Sequence, residues 1–268
     1  MAMLPNPLPS LATDPTGRTL GLDLPPGRLV DTTVDGPWHE PLLWCGDEPA
    51  APGTWDRLLP ARRAGALHPV LIGGADAPHA WELSPQRVSY AGDHDAEEVL
   101  EEFWESCAAG DPDTDGEWPG LAPGGTLPED PDRLAAEAVD ALSTGERGGV
   151  WKGARPALVR ARRSADIPAA IGWSGPLDHE NDVARLCSVL RSWEDRFGIR
   201  VVGLSFDQLV VSVAAPPTTT ADAEALAAEH FAFCPDNLRQ GPRPRLGAYA
   251  QLLLRAPVWT FCWDRPSV

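Results

Sequence analysis

Residues 199–215, IRVVGLSFDQLVVSVAA, constrain the fold more than any other stretch of the chain. Two runs rich in β-branched residues, IRVVGLSF and QLVVSVAA, alternate as strands do and leave only Asp207 between them. Strands joined so tightly must run antiparallel, because a parallel connection needs a crossover of about a dozen residues or more. A doubly wound parallel sheet is therefore excluded.

The flanking segments supply helices and further strands. PALVRARR reads as a strand, and SADIPAAIG as a short helix with Ser164 as cap and Gly172 as terminator. In NDVARLCSVLRSWEDRFG, residues Val183, Leu186, Leu190, Trp193 and Phe197 step by helical intervals along one face, and Gly198 closes the helix. TTTADAEALAAEHFAFC follows with Thr219 and Asp222 as a capping box, then the short helix RLGAYAQLLLRA and a closing strand, VWTFCWD. Earlier in the chain, GRLVDTTV, PLLWCGD and HPVLIGG read as strands and GTWDRLLPARRAG as a broken helix. DHDAEEVLEEFWESCAAG is a helix capped by Asp93 or Asp95, with Val99, Leu100, Phe103, Trp104 and Cys107 on one face.

The expected class is α+β: an antiparallel or mixed sheet with helices packed on it, close to split β-α-β order in its C-terminal part. A smaller, irregular α/β part precedes it. Composition suggests three segments: residues 1–110 with a Pro-rich lead-in, an acidic Gly/Pro-rich linker at 111–130, and an α+β domain at 131–268. RARRSADIPAAIGWSGP, VLRSWEDRFGIRVVGLSFDQLVVSVAAPP, AEHFAFCPDN and WTFCWD, in that order, resemble the bacterial domain of unknown function numbered 4253 over about residues 155–264. That resemblance carries no activity over to any residue.

Charge narrows the function classes. A formal charge of −17 over 268 residues repels phosphate backbones and anionic membrane surfaces, so neither nucleic acid nor membrane is an expected partner. No apolar run approaches the roughly 18 residues that cross a bilayer, and MAMLPNPLPSLATDP lacks the features of a signal peptide. Five scattered cysteines, at 45, 107, 187, 234 and 262, form no Cys-x-x-Cys pair and fit free thiols in a cytoplasmic protein.

Several residues are candidates for a site. His230 and Cys234 stand four apart on a helix, a spacing that suits a reacting pair or two metal ligands, but also two core residues. Asp236 and Asn237 in CPDN form either a helix stop or a ligand-facing corner. Trp259, Phe261 and Trp263 share one face of the last strand, opposite Thr260, Cys262 and Asp264; they either stack a ring-shaped ligand or fill the core. GWSGPLDHEND places Trp173, Asp178 and His179 ahead of a helix, where the acidic residues suit capping better than cation binding. Arg147, Lys152, Arg155, Arg160, Arg162 and Arg163 form a local basic patch, facing either the acidic linker or an acidic partner. No nucleophile elbow, P-loop, dinucleotide fingerprint or His-Glu-x-x-His occurs. The expected function is a non-catalytic binding or protein-interaction module, with a protein or small molecule as partner and no metal or cofactor. The alternative is a small hydrolase or thiol-dependent enzyme centred on His230 and Cys234.

Overall fold

The computed structural model describes residues 6–74, 77–78, 81–108, 117–127, 130–144, 149–239 and 246–263. Its strands are β1 (Gly27–Val30), β2 (Thr32–Thr33), β3 (Gly36–Pro37), β4 (Leu43–Gly46), β5 (Leu67–Ile72), β6 (Arg155–Arg160), β7 (Arg200–Leu204), β8 (Gln208–Ser212) and β9 (Val258–Cys262). The helices are α1 (Thr54–Leu58), α2 (Ala61–Gly65), α3 (Ala96–Ala108), α4 (Pro131–Ser143), α5 (Ile167–Ile171), α6 (Val183–Phe197), α7 (Thr220–Phe233), α8 (Asp236–Arg239) and α9 (Leu246–Leu253). Seven strands form one mixed sheet in the order β1-β4-β6-β5-β7-β8-β9, and β2 pairs separately with β3. The pairing of β5 with β7 is parallel; the other neighbours in the large sheet are antiparallel. The α+β class is as expected.

The hairpin read from IRVVGLSFDQLVVSVAA is present. Ser205 N–H donates to the Gln208 carbonyl at 2.8 Å, and the Ser205 hydroxyl receives Gln208 N–H at 3.0 Å, so Phe206 and Asp207 form the turn. Alternation along the strands then builds two cores. Val201 and Val211 pack with Leu190, Trp193 and Phe197 of α6, and Val202 and Val210 pack with Ala135, Val139 and Leu142 of α4. Helices therefore cover both faces of the sheet. A third cluster lies where the Pro-rich lead-in folds back, burying Leu8, Leu11, Leu22 and Leu24 against Trp44, Leu67 and Leu158.

Close approach by an indole ring explains Gly203. The β7–β8 register shifts between Val201 and Gly203, and a Cβ at Gly203 would lie 2.8 Å from the Trp151 ring. Glycine lets that ring lie against the strand. Gly172, at φ +65°, closes α5 as expected. Asp95, rather than Asp93, caps α3 by accepting Glu97 and Glu98 N–H. Ser164 does not cap α5. It opens a 3-10 turn ahead of that helix, and its hydroxyl accepts Val201 N–H at 2.9 Å, fastening the turn to β7.

The two sides of the composition-based linker share the sheet: β5, from before it, lies between β6 and β7, from after it. Residues 117–127 contain no helix or strand, yet Ala122 is buried within the main core. The linker positions 111–116 and 128–129 lie outside the described residues, as do Arg147 and Asp264.

Candidate functional site

The site begins with a helix buried on nearly all sides. Thr219 caps α7 by accepting Asp222 N–H, and Thr219 also hydrogen-bonds the Asp222 carboxylate at 2.6 Å. From Leu226 to Phe233 every residue of α7 is buried, because α3, α9 and the sheet each take a face. The buried surface of α7 is thus wider than one helical face. His230 is 0% exposed, with its ring 4.6 Å from Trp259 and 4.9 Å from both Trp193 and Phe261. Its Nδ1 lies 3.1 Å from the Tyr249 hydroxyl, while Nε2 has no hydrogen-bond partner among the described residues. Burial, helped by Arg196, lowers its pKa to about 3, so the ring is neutral.

Cys234 ends the same helix and is equally buried. Its thiol donates to the Cys262 carbonyl at 3.3 Å, and burial pushes its pKa well above the ordinary thiol range. Its backbone N–H donates to the His230 carbonyl at 2.9 Å, but no hydrogen bond joins the thiol to the His230 ring among the described residues. Asn237 accounts for the CPDN corner. Its amide donates to the Thr260 carbonyl at 2.7 Å and accepts Cys262 N–H at 3.0 Å, so one side chain completes the outer edge of β9 as a neighbouring strand would. Asp236 is half-buried in the first turn of α8.

Residues 155–264 match the family described as Domain of unknown function (DUF4253). No curated protein and no solved structure matches the chain. The DUF4253 segment carries β6 to β9 and α5 to α9, and therefore the whole His230 cluster, but β5 lies outside it.

The other candidates within the DUF4253 segment divide between core, caps and surface. Trp259 and Trp263 are buried, and Trp263 meets Trp173 edge-on at 5.6 Å. Trp173 itself donates to the Ser205 carbonyl at 2.8 Å, tying its loop to the β7–β8 hairpin. Ahead of α6, Asp182 accepts Ala184 N–H and Glu180 accepts Asp182 N–H, a capping arrangement. Asp178 is exposed, and the His179 ring packs on Phe103 at 4.9 Å rather than joining His230. In the basic patch, Arg163 pairs with Glu194 and Asp195 of α6, and Arg162 donates to the Tyr90 hydroxyl.

Sequence reasoning missed Glu229 and Tyr249. Glu229 is 0% exposed and accepts from Arg196, Trp193 and the Ala122 amide. Its only sequence signal is position: it sits in the same Ala-rich run as His230 and immediately precedes it. Tyr249 and Asn237 line a cavity of about 330 Å³ beside β9. Among the described residues, no cluster of three or more His, Cys, Asp or Glu side chains is placed to hold a metal ion, and no helix is long and apolar enough to cross a membrane.

Proposed function

We propose that the chain is a non-catalytic binding module acting in the cytoplasm, with a protein or small molecule as its partner. The observation that carries this reading is the complete burial of His230, boxed by aromatic rings, and of Cys234, whose thiol already donates to a backbone carbonyl. A nucleophile needs access to substrate and a stabilised thiolate. Cys234 has neither: burial raises its pKa, and it stands at the end of α7, where the helix dipole opposes a negative charge.

A hydrolase or thiol enzyme is the second reading. It draws on the contact of His230 with Tyr249, a residue that also lines the cavity beside β9. Iodoacetamide labelling of the folded protein near neutral pH separates the two. The binding-module reading expects Cys234 to label slowly and to become reactive only in denaturant. Labelling faster than free cysteine, abolished by His230→Ala in a folded variant, would instead establish an activated pair.

A further inference from the structure

A cavity of about 520 Å³ is lined by residues of α2, β5, the start of α4 and the segment just beyond β6. That size suits a small molecule. Its charged lining is Arg62 and Arg63 from α2, Arg162 beyond β6, Asp132 from α4 and Asp56 from α1. Both oxygens of Asp132 are already engaged, one by Arg62 at 2.5 Å and the other by Arg200 at 2.8 Å. Arg200 does not line the cavity, so its charge offsets Asp132 from behind and leaves the arginines facing the opening in excess. Arg162 is held by its hydrogen bond to Tyr90 at 2.8 Å, with its guanidinium 5.4 Å from that ring's centre. Arg63 is exposed and has no carboxylate partner among the described residues.

The deepest polar group is His68 on β5. It is 5% exposed and lines the cavity, and its ring has no hydrogen-bond partner among the described residues. A buried imidazole ordinarily has its nitrogens satisfied, so one left open toward a cavity is a place for a ligand atom. Burial, followed by Arg62 and Arg200, lowers its pKa to about 4, so it meets a ligand as a neutral hydrogen-bonding group. In a chain of net charge −17, a concave site rimmed by arginines stands out electrostatically and draws anions toward it.

We propose that this cavity binds a small polyanion bearing phosphate or clustered carboxylate groups, with Arg63 and Arg162 as the charged contacts and His68 as the buried hydrogen-bonding group. Guanidinium forks match both anion classes. The assignment rests on the binding-module reading and gives it a ligand class.

The test is calorimetric titration of the full chain near pH 7 with pyrophosphate and, separately, with citrate, ionic strength being matched throughout. Saturable one-to-one binding of either probe is expected, and the probe preferred tells phosphate from carboxylate. Arg63→Ala and Arg162→Ala should each weaken it about tenfold. Asp56→Asn, which removes an opposing charge, should tighten it about twofold; because this is a gain, misfolding cannot produce it. No saturable binding of either probe, or an affinity unchanged in the folded double arginine variant, overturns the site while leaving the non-catalytic reading intact. Phosphorus NMR of the bound pyrophosphate tests that reading separately: recovery of intact probe agrees with it, whereas turnover to orthophosphate keeps the anion site and sinks the claim of no chemistry.

Discussion

Glu229 and Arg196 meet through two hydrogen bonds, at 2.8 and 2.5 Å, at a point where the carboxylate has no solvent exposure. The same carboxylate accepts Trp193 Nε1–H at 2.8 Å and Ala122 N–H at 2.7 Å, and Arg196 also donates to the Ala122 carbonyl at 2.7 Å. One ion pair thus joins α6, α7 and the irregular segment around Ala122. Desolvating two charges is costly, and here that cost is offset because both carboxylate oxygens are fully hydrogen-bonded.

Removing one partner should therefore be worse than removing both. Glu229→Ala leaves Arg196 facing a desolvated space and strips Trp193 and Ala122 of their acceptor, a loss of about 3–5 kcal/mol. The double variant Glu229→Met/Arg196→Met should recover part of that loss, since it abolishes the uncompensated charge. Urea unfolding midpoints of the three proteins give the comparison. A single variant as stable as the parent would mean that the pair does not hold this corner together.

Sheet order carries a second consequence. The DUF4253 segment, residues 155–264, contributes β6 at one place in the sheet and β7, β8 and β9 at another, with β5 filling the gap. Without β5, the backbone groups of β6 and β7 that pair with it lose their partners in a buried position. A fragment of residues 155–264 produced alone should lack cooperative unfolding and should regain it when residues 1–154 are supplied as a separate chain. Likewise, a cut within 111–130, the segment proposed as a linker, should leave the two pieces associated on size-exclusion chromatography. A fragment that folds alone, or cut pieces that separate, would show that β5 is dispensable.

The parts of this architecture that the sequence made legible are the locally encoded ones. The α6 stripe from Val183 to Phe197 and the β7–β8 hairpin each depend on residues within one element or across one turn, and periodicity reports them directly. The position of β5 depends on pairing partners far away in the chain, about which local pattern is silent. His230 was legible as either a core residue or a reacting group, but its contact with Tyr249 required α9 to lie beside α7. Glu229 escaped because a glutamate ordinarily marks a solvated face, and only the arrival of Arg196 and Ala122 permits its burial. Ser164 followed the residue preferences of a cap, yet its hydroxyl found a better-placed donor in β7.

Acid should unfold this protein through its buried histidines. His68 and His230 have folded-state pKa values lowered to about 4 and about 3, in both cases mainly by burial, against about 6.5 in an unfolded chain. Above about pH 6.5 both rings are neutral whether the chain is folded or not, and their contribution to stability is fully present. As pH falls below that value the unfolded chain takes up two protons that the folded protein refuses, so stability is lost progressively down to the folded pKa values. Between about pH 6 and 4 the two groups together should lower the unfolding free energy by up to about 2.7 kcal/mol per pH unit. His230→Phe removes one titrating ring and should reduce that slope by about 1.4 kcal/mol per pH unit, whatever it does to absolute stability. Urea titrations of parent and variant at several pH values read the slope, and the ring nitrogen shifts of the folded parent read protonation directly. A folded-state midpoint near 6.5 for either ring, or equal slopes for the two proteins, would contradict the neutral, desolvated state assigned to these histidines.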